Sequence, residues 1–137
     1  MNDDLFEVYR RTTFSAETPL GPVHLRVDQR NEILFQLLLR DAAISWAYVT
    51  AFNPGSQPLA NEENLQRQRQ LEDLLRRDGL VFFSGAGVGD DKQWPPEASV
   101  LILGISQSRA IELAREFGQN AILAGGADAV PELVDCR

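Results

Sequence analysis

Hydrophobic positions along this chain recur in three rhythms, and each predicts a different element. Trp46 to Phe52 is a run dominated by β-branched and aromatic residues, without Gly or Pro, the make-up of a strand packed on both faces and central in its sheet. Ser99 to Ile105 is a second near-continuous apolar run, Leu80 to Phe83 and Ala121 to Ala124 are shorter ones, and Val130 to Val134 fits an edge strand. Val23 to Val27 alternates. With an extended segment from Phe6 to Phe14 and the turn Pro19-Leu20-Gly21-Pro22, it predicts a hairpin. Helical spacing takes over in three places. Ile33 to Leu39 is apolar on nearly every side, which predicts a well-buried helix, with Asp28 and Asn31 as candidate caps. Ala110, Ile111, Ala114 and Phe117 share a face after Ser106, a good N-cap, and Gly118 closes that helix.

The third helix starts near Asn61, read as its N-cap, and ends at Gly79. Its apolar face of Leu71, Leu74 and Leu75 runs back through Asn64, Arg67 and Gln68, so the inward stripe changes from leucine to amide and guanidinium. This happens where the helix meets the loop Asn53-Pro54-Gly55-Ser56-Gln57-Pro58, which stops the Trp46–Phe52 strand. A buried polar group left unpaired costs on the order of 1–3 kcal/mol, so these side chains must find partners. They either brace the loop by bonding one another and its backbone, or line a pocket for a polar or anionic ligand near a helix N-terminus.

The expected order is β-β-α-β-α-β-β-α-β, with a last strand after Gly125-Gly126, which read as a turn. Its central series β-α-β-β-α-β is that of split-βαβ folds. The predicted class is α+β: a mixed sheet with helices mainly on one face, extended by the first hairpin. A three-layer α/β sandwich is the alternative, favoured if the inner strands are covered on both sides. The glycine-rich stretch Ser84–Asp91 does not carry G-x-G-x-x-G spacing, and Trp94-Pro95-Pro96 follows where a phosphate-binding helix would begin. It reads as a hairpin loop, not a dinucleotide site.

Composition narrows the function classes. The 137 residues, 44 % hydrophobic and 24 % charged, fit a single globular domain with one core over 1–137. No apolar run approaches the roughly 20 residues of a membrane span, and the start MNDDLFEVYR is acidic, unlike a signal peptide. A cytoplasmic, soluble protein is expected. The net charge of −7 argues against nucleic acid and anionic membranes as partners. The one cysteine, Cys136, is penultimate, and the one histidine, His24, falls on the polar face of its strand with Arg26. No metal site, no cofactor and no recognisable catalytic constellation is expected from such a set.

Four signatures stand in order: Thr50-Ala51-Phe52-Asn53-Pro54-x-Ser56 with Glu63-Asn64, Trp94-Pro95-Pro96-Glu97-x-Ser99, Leu103-Gly104-Ile105, and Phe117-Gly118-Gln119-Asn120-Ala121-Ile122. In combination they resemble the uncharacterised bacterial domain-of-unknown-function family 3293, over about Tyr9 to Val134. Ala124 stands where that resemblance would place an aromatic. The family carries no established activity. The resemblance gathers polar residues into the loops of Asn53 and Ser56, of Glu97 and Ser99, and of Gln119 and Asn120.

Two readings follow. In one, Asn53, Ser56, Asn64, Arg67, Glu97, Gln119 and Asn120 form a site for a small polar or anionic, nucleotide-like ligand, with Arg67 holding an anionic group bidentately. An enzymatic version would use Glu97 as general base, with Asn53 or Ser56 positioning a water or a carbonyl. Each residue also has a structural role open to it. Glu97 can accept backbone N–H bonds at a turn, and Gln119 and Asn120 can shape theirs. In the other reading the chain is an acidic protein-interaction or immunity-like regulatory module without catalysis, presenting its charge to a basic protein partner.

Overall fold

The computed structural model of the protein describes residues 3–89 and 96–137. In chain order the described elements are α1 (Asp3–Arg10), β1 (Thr12–Thr18), β2 (Gly21–Leu25), α2 (Glu32–Arg40), β3 (Ser45–Thr50), α3 (Asn61–Arg77), β4 (Val81–Gly89), β5 (Glu97–Leu103), α4 (Gln107–Glu116), β6 (Ala121–Gly126) and β7 (Glu132–Asp135). A 3₁₀ turn, Pro54–Ser56, lies between β3 and α3. The strands form one sheet in the order β2-β1-β4-β5-β3-β6-β7.

The class is α+β, as the element pattern implies. Every described pairing is antiparallel, so the sheet is not the mixed one expected. Crossovers β3-α3-β4 and β5-α4-β6 do join strands of like direction, but each such pair is split by a strand of opposite direction. That is the split-βαβ arrangement.

Alternation along β3 sorts its side chains into two cores. Ala47 and Val49 pack with Val100 and Ile102 of β5 under Leu71 and Leu75 of α3 and Leu113 and Ala114 of α4. Trp46 and Tyr48 pack with Leu101 and Leu103 against Leu34, Leu37 and Leu38 of α2 and the hairpin residues Val23 and Leu25. The crossover helices therefore share one face, and α2 covers the other. Leu39, expected inside, is 62 % exposed at the end of α2.

Local chemistry explains the boundaries. Asn31 caps α2, its side chain accepting from Leu34 N, while Asp28 has φ 67° and caps nothing. Ser106 caps α4 through Arg109 N. Helix α3 closes on Gly79 and Leu80, whose amides bond Arg76 O and Leu75 O as in a Schellman motif. Its N-cap is Ala60 without a side-chain bond, so Asn61 is the first helical residue and not the cap expected.

Three further expectations change. The segment from Phe6, expected as strand, is helix to Arg10: Phe6 and Tyr9 are three apart, and their rings meet at 6.0 Å, the spacing of one helical face. The strand begins only at the β-branched pair Thr12-Thr13. Ser84–Gly89 continues β4 rather than looping, and Gly125-Gly126 end β6 rather than turning. In both cases glycine admits a close neighbour: a Cβ on Gly85 would lie 1.7 Å from Ser15 O, and one on Gly125 would lie 2.8 Å from the Trp46 ring. Asp90, Asp91, Trp94 and Pro95 lie outside the described residues. Among the described residues no helix is long and apolar enough to cross a membrane.

Candidate functional site

The strand ladder of β3 ends at Thr50, and side chains then take over the work of neighbouring strands. Ala51 N donates to Gln68 Oε1 at 3.1 Å, and Ala51 O accepts from Arg67 Nε at 3.0 Å. Phe52 O accepts from Gln119 Nε2 at 2.9 Å, and Asn53 N donates to Asn64 Oδ1 at 2.9 Å. Backbone groups of a buried chain must be paired. Here the amide and guanidinium stripe of α3, with Gln119 after α4, pairs them, which accounts for Asn64 and Gln68 being only 4 % exposed. Arg67 also spans to α4, donating through Nη2 to Phe117 O at 2.5 Å, with its guanidinium over the Phe117 ring. The Nε and Nη2 edge expected to hold an anion bidentately therefore faces backbone carbonyls.

Asn53 is the hub of this end of the sheet. It adopts φ 47° and ψ 64°, a left-handed conformation that Asn tolerates better than most residues. Its Oδ1 accepts from Leu59 N at 3.0 Å and Asn64 Nδ2 at 2.7 Å, while its Nδ2 donates to Glu97 Oε1 at 2.9 Å. The following turn rests on the end of α4, with Gly55 N bonded to Gly118 O at 2.6 Å.

Beyond that brace lies a more open group. Asn120 Nδ2 donates to Ser56 Oγ at 3.1 Å. The Tyr9 phenol, carried there by α1, lies beside the Ser56 hydroxyl. Burial raises the Tyr9 pKa, and the Ser56 contact partly offsets that rise; Glu97 is among the charges Tyr9 feels. Burial also pushes the Glu97 carboxyl above its ordinary range, against the Asn53 amide, which favours the ionised form. Among the described residues Glu97 has no ion-pair partner, and its Oε1 bond to Asn53 is its one side-chain hydrogen bond.

The structure thus brings all seven sequence-predicted residues to one end of the inner strands, in two roles. Asn53, Asn64, Arg67 and Gln119 hold the backbone. Ser56, Glu97 and Asn120 bond other side chains rather than backbone and retain polar capacity. Sequence reasoning missed Tyr9, because α1 was read as strand; the Phe6–Tyr9 spacing was the signal available. Gln68 was placed on the inward stripe but not among the site residues, and its buried Nε2 has no partner among the described residues. Ser99 is buried, and its hydroxyl donates to Glu97 O at 3.0 Å, fixing the start of β5.

His24 is exposed and shares a 2.8 Å hydrogen bond with Ser15 through Nδ1. Cys136 is 2 % exposed in the core beneath β6, its backbone held by Asn120 O and Arg115 Nε, and burial pushes its thiol pKa up.

Fold and site together define an α+β domain with a split-βαβ core, whose crossover helix α3 and α4–β6 turn hold the loop after the inner strand β3. The model of the family described as Protein of unknown function (DUF3293) matches residues 49–122, more than half of the chain, and the protein belongs to that family. The match is shorter than the Tyr9–Val134 span of the resemblance; it contains Asn53, Ser56, Glu97 and Asn120 but not Tyr9. No curated protein and no solved structure matches the chain.

Proposed function

We propose that the group formed by Tyr9, Asn53, Ser56, Glu97 and Asn120 is a binding site for a small polar molecule. One observation carries the reading. Four separate segments deliver hydroxyl, amide, phenol and carboxyl groups to a common place, with Asn53 bridging to Glu97 at 2.9 Å and Asn120 to Ser56 at 3.1 Å. Bracing explains Asn64, Arg67 and Gln119, whose polar atoms meet backbone. It does not explain a half-buried carboxyl whose one side-chain hydrogen-bond partner among the described residues is an amide. Ligand sites commonly combine a few such polar groups at the ends of sheet strands.

The test is a thermal-shift screen of polar metabolites against the parent and against Ser56→Ala and Asn120→Leu. A true ligand raises the melting temperature of the parent and loses most of that rise in both variants, which alter groups outside the brace. A screen in which no compound stabilises the parent, or in which both variants respond like it, removes the basis of the reading.

A further inference from the structure

We infer that the molecule seated at this site is a small organic cation bearing N–H donors, an amine, amidine or guanidine, held by Oε2 of Glu97. This rests on the polar-site reading above and goes further by fixing the charge of the ligand. The full charges around the loop decide it. Arg67 is committed to Ala51 O and Phe117 O, and Arg137, whose field reaches Tyr9, is paired with Asp135 and stacked on Phe6. Glu97 stands apart from both, and among the described residues it has no ion-pair partner.

Its Oε1 takes the Asn53 amide, and Oε2 remains as an acceptor. A carboxylate removed from part of its water and given a single amide donor is short of hydrogen bonds and counter-charge. A ligand ammonium or guanidinium supplies both at once. An anionic ligand would meet the same carboxylate as a like charge, while the Arg67 guanidinium already donates to backbone carbonyls. The amide Oδ1 of Asn120 and the Ser56 hydroxyl, linked to Glu97 through the Tyr9 phenol, are further acceptors for additional N–H groups.

The experiment is an amide NMR titration of the full ¹⁵N-labelled chain with n-butylammonium, n-butylguanidinium, butyramide and butyrate at matched ionic strength. The two cations should give saturable shifts at residues 53–56, 97–99 and 119–121. Butyrate should give none. In Glu97→Gln the cation Kd should rise at least tenfold while the spectrum stays that of the folded protein. Glu97→Asp, which shortens the arm but keeps the charge, should retain part of the affinity and guards against misfolding of the first variant. Butyrate or butyramide binding there as tightly as the cations, or cation affinity unchanged in Glu97→Gln, overturns the cation assignment and leaves a polar site standing. If none of the four probes moves those resonances, the cation assignment and the polar-site reading fall together.

Discussion

Replacing Asn64 with leucine tests the brace at its centre. Asn64 is 4 % exposed and makes two short side-chain bonds to one residue: its Oδ1 accepts from Asn53 N at 2.9 Å, and its Nδ2 donates to Asn53 Oδ1 at 2.7 Å. Leucine keeps the branch point and heavy-atom count of asparagine and continues the stripe above Leu71; its methyls are bulkier than the amide, which adds to the loss, but the removed groups are polar. Asn53 N would be left without its acceptor, at about 1–3 kcal/mol for a buried donor. Asn53 itself is half-buried, so solvent reaches part of the gap and the low end applies. Asn53 Oδ1 keeps Leu59 N, and its lost bond adds about 1 kcal/mol. Leucine returns a few tenths of a kcal/mol in helix propensity. The net expectation is a loss of about 2 kcal/mol. At a urea m-value of about 1–3 kcal/mol/M, the unfolding midpoint should fall by roughly 1 M. Equilibrium urea unfolding followed by Trp fluorescence measures this directly. A midpoint unchanged from the parent would mean that the loop holds its shape without the Asn53–Asn64 pair, and the account of the polar stripe would be wrong.

Other outcomes follow from the same geometry. Because burial raises the Glu97 pKa, the folded state binds that proton more tightly than the unfolded chain; the contribution of Glu97 to stability is greatest below the ordinary glutamate pKa and falls as pH rises through the raised one. Glu97→Gln should remove that decline in a pH series of thermal melts, and a parent and variant with parallel profiles would contradict it. Gly85→Val should destabilise by several kcal/mol, since even a Cβ would meet Ser15 O at 1.7 Å; circular dichroism melts showing less than about 1 kcal/mol would mean that β1 can move away. Gln68→Leu exchanges one unpaired buried group, Nε2, for another, Ala51 N, and should change stability by less than about 1 kcal/mol. A larger loss in urea would indicate that Nε2 holds a buried water. Cys136, buried and with a raised thiol pKa, should react with a thiol reagent at least tenfold more slowly in the native protein than in denaturant, and equal rates would refute its packing beneath β6.

What the linear chain determined was whatever depends on near neighbours. The apolar runs at Trp46–Phe52 and Ser99–Ile105 marked inner strands because a strand covered on both faces has no polar side to show. Asn31, Ser106, Gly79 and Gly118 marked helix ends because caps and left-handed turns are satisfied within a few residues. The switch from leucine to amide along α3 marked a polar end to a buried face, since helical periodicity alone places those side chains inward.

Tertiary structure decided everything that required knowing who stands opposite. Ser84–Gly89 and Gly125-Gly126 carry loop composition, yet they pair as strand, and at Gly85 and Gly125 the glycine is required because Ser15 O and the Trp46 ring approach too closely for a side chain. α1 is helix although the extended character of Thr12-Thr13 in the sequence favours strand from Phe6 onward. The partition of the seven polar residues depended on contacts spanning many residues, such as Gln119 to Phe52 and Asn53 to Glu97. Hydrogen-bonding capacity is a property of a side chain, but whether it is spent on the fold or left for a ligand depends on which backbone groups the strand ends leave unpaired. No local pattern in the sequence encodes that.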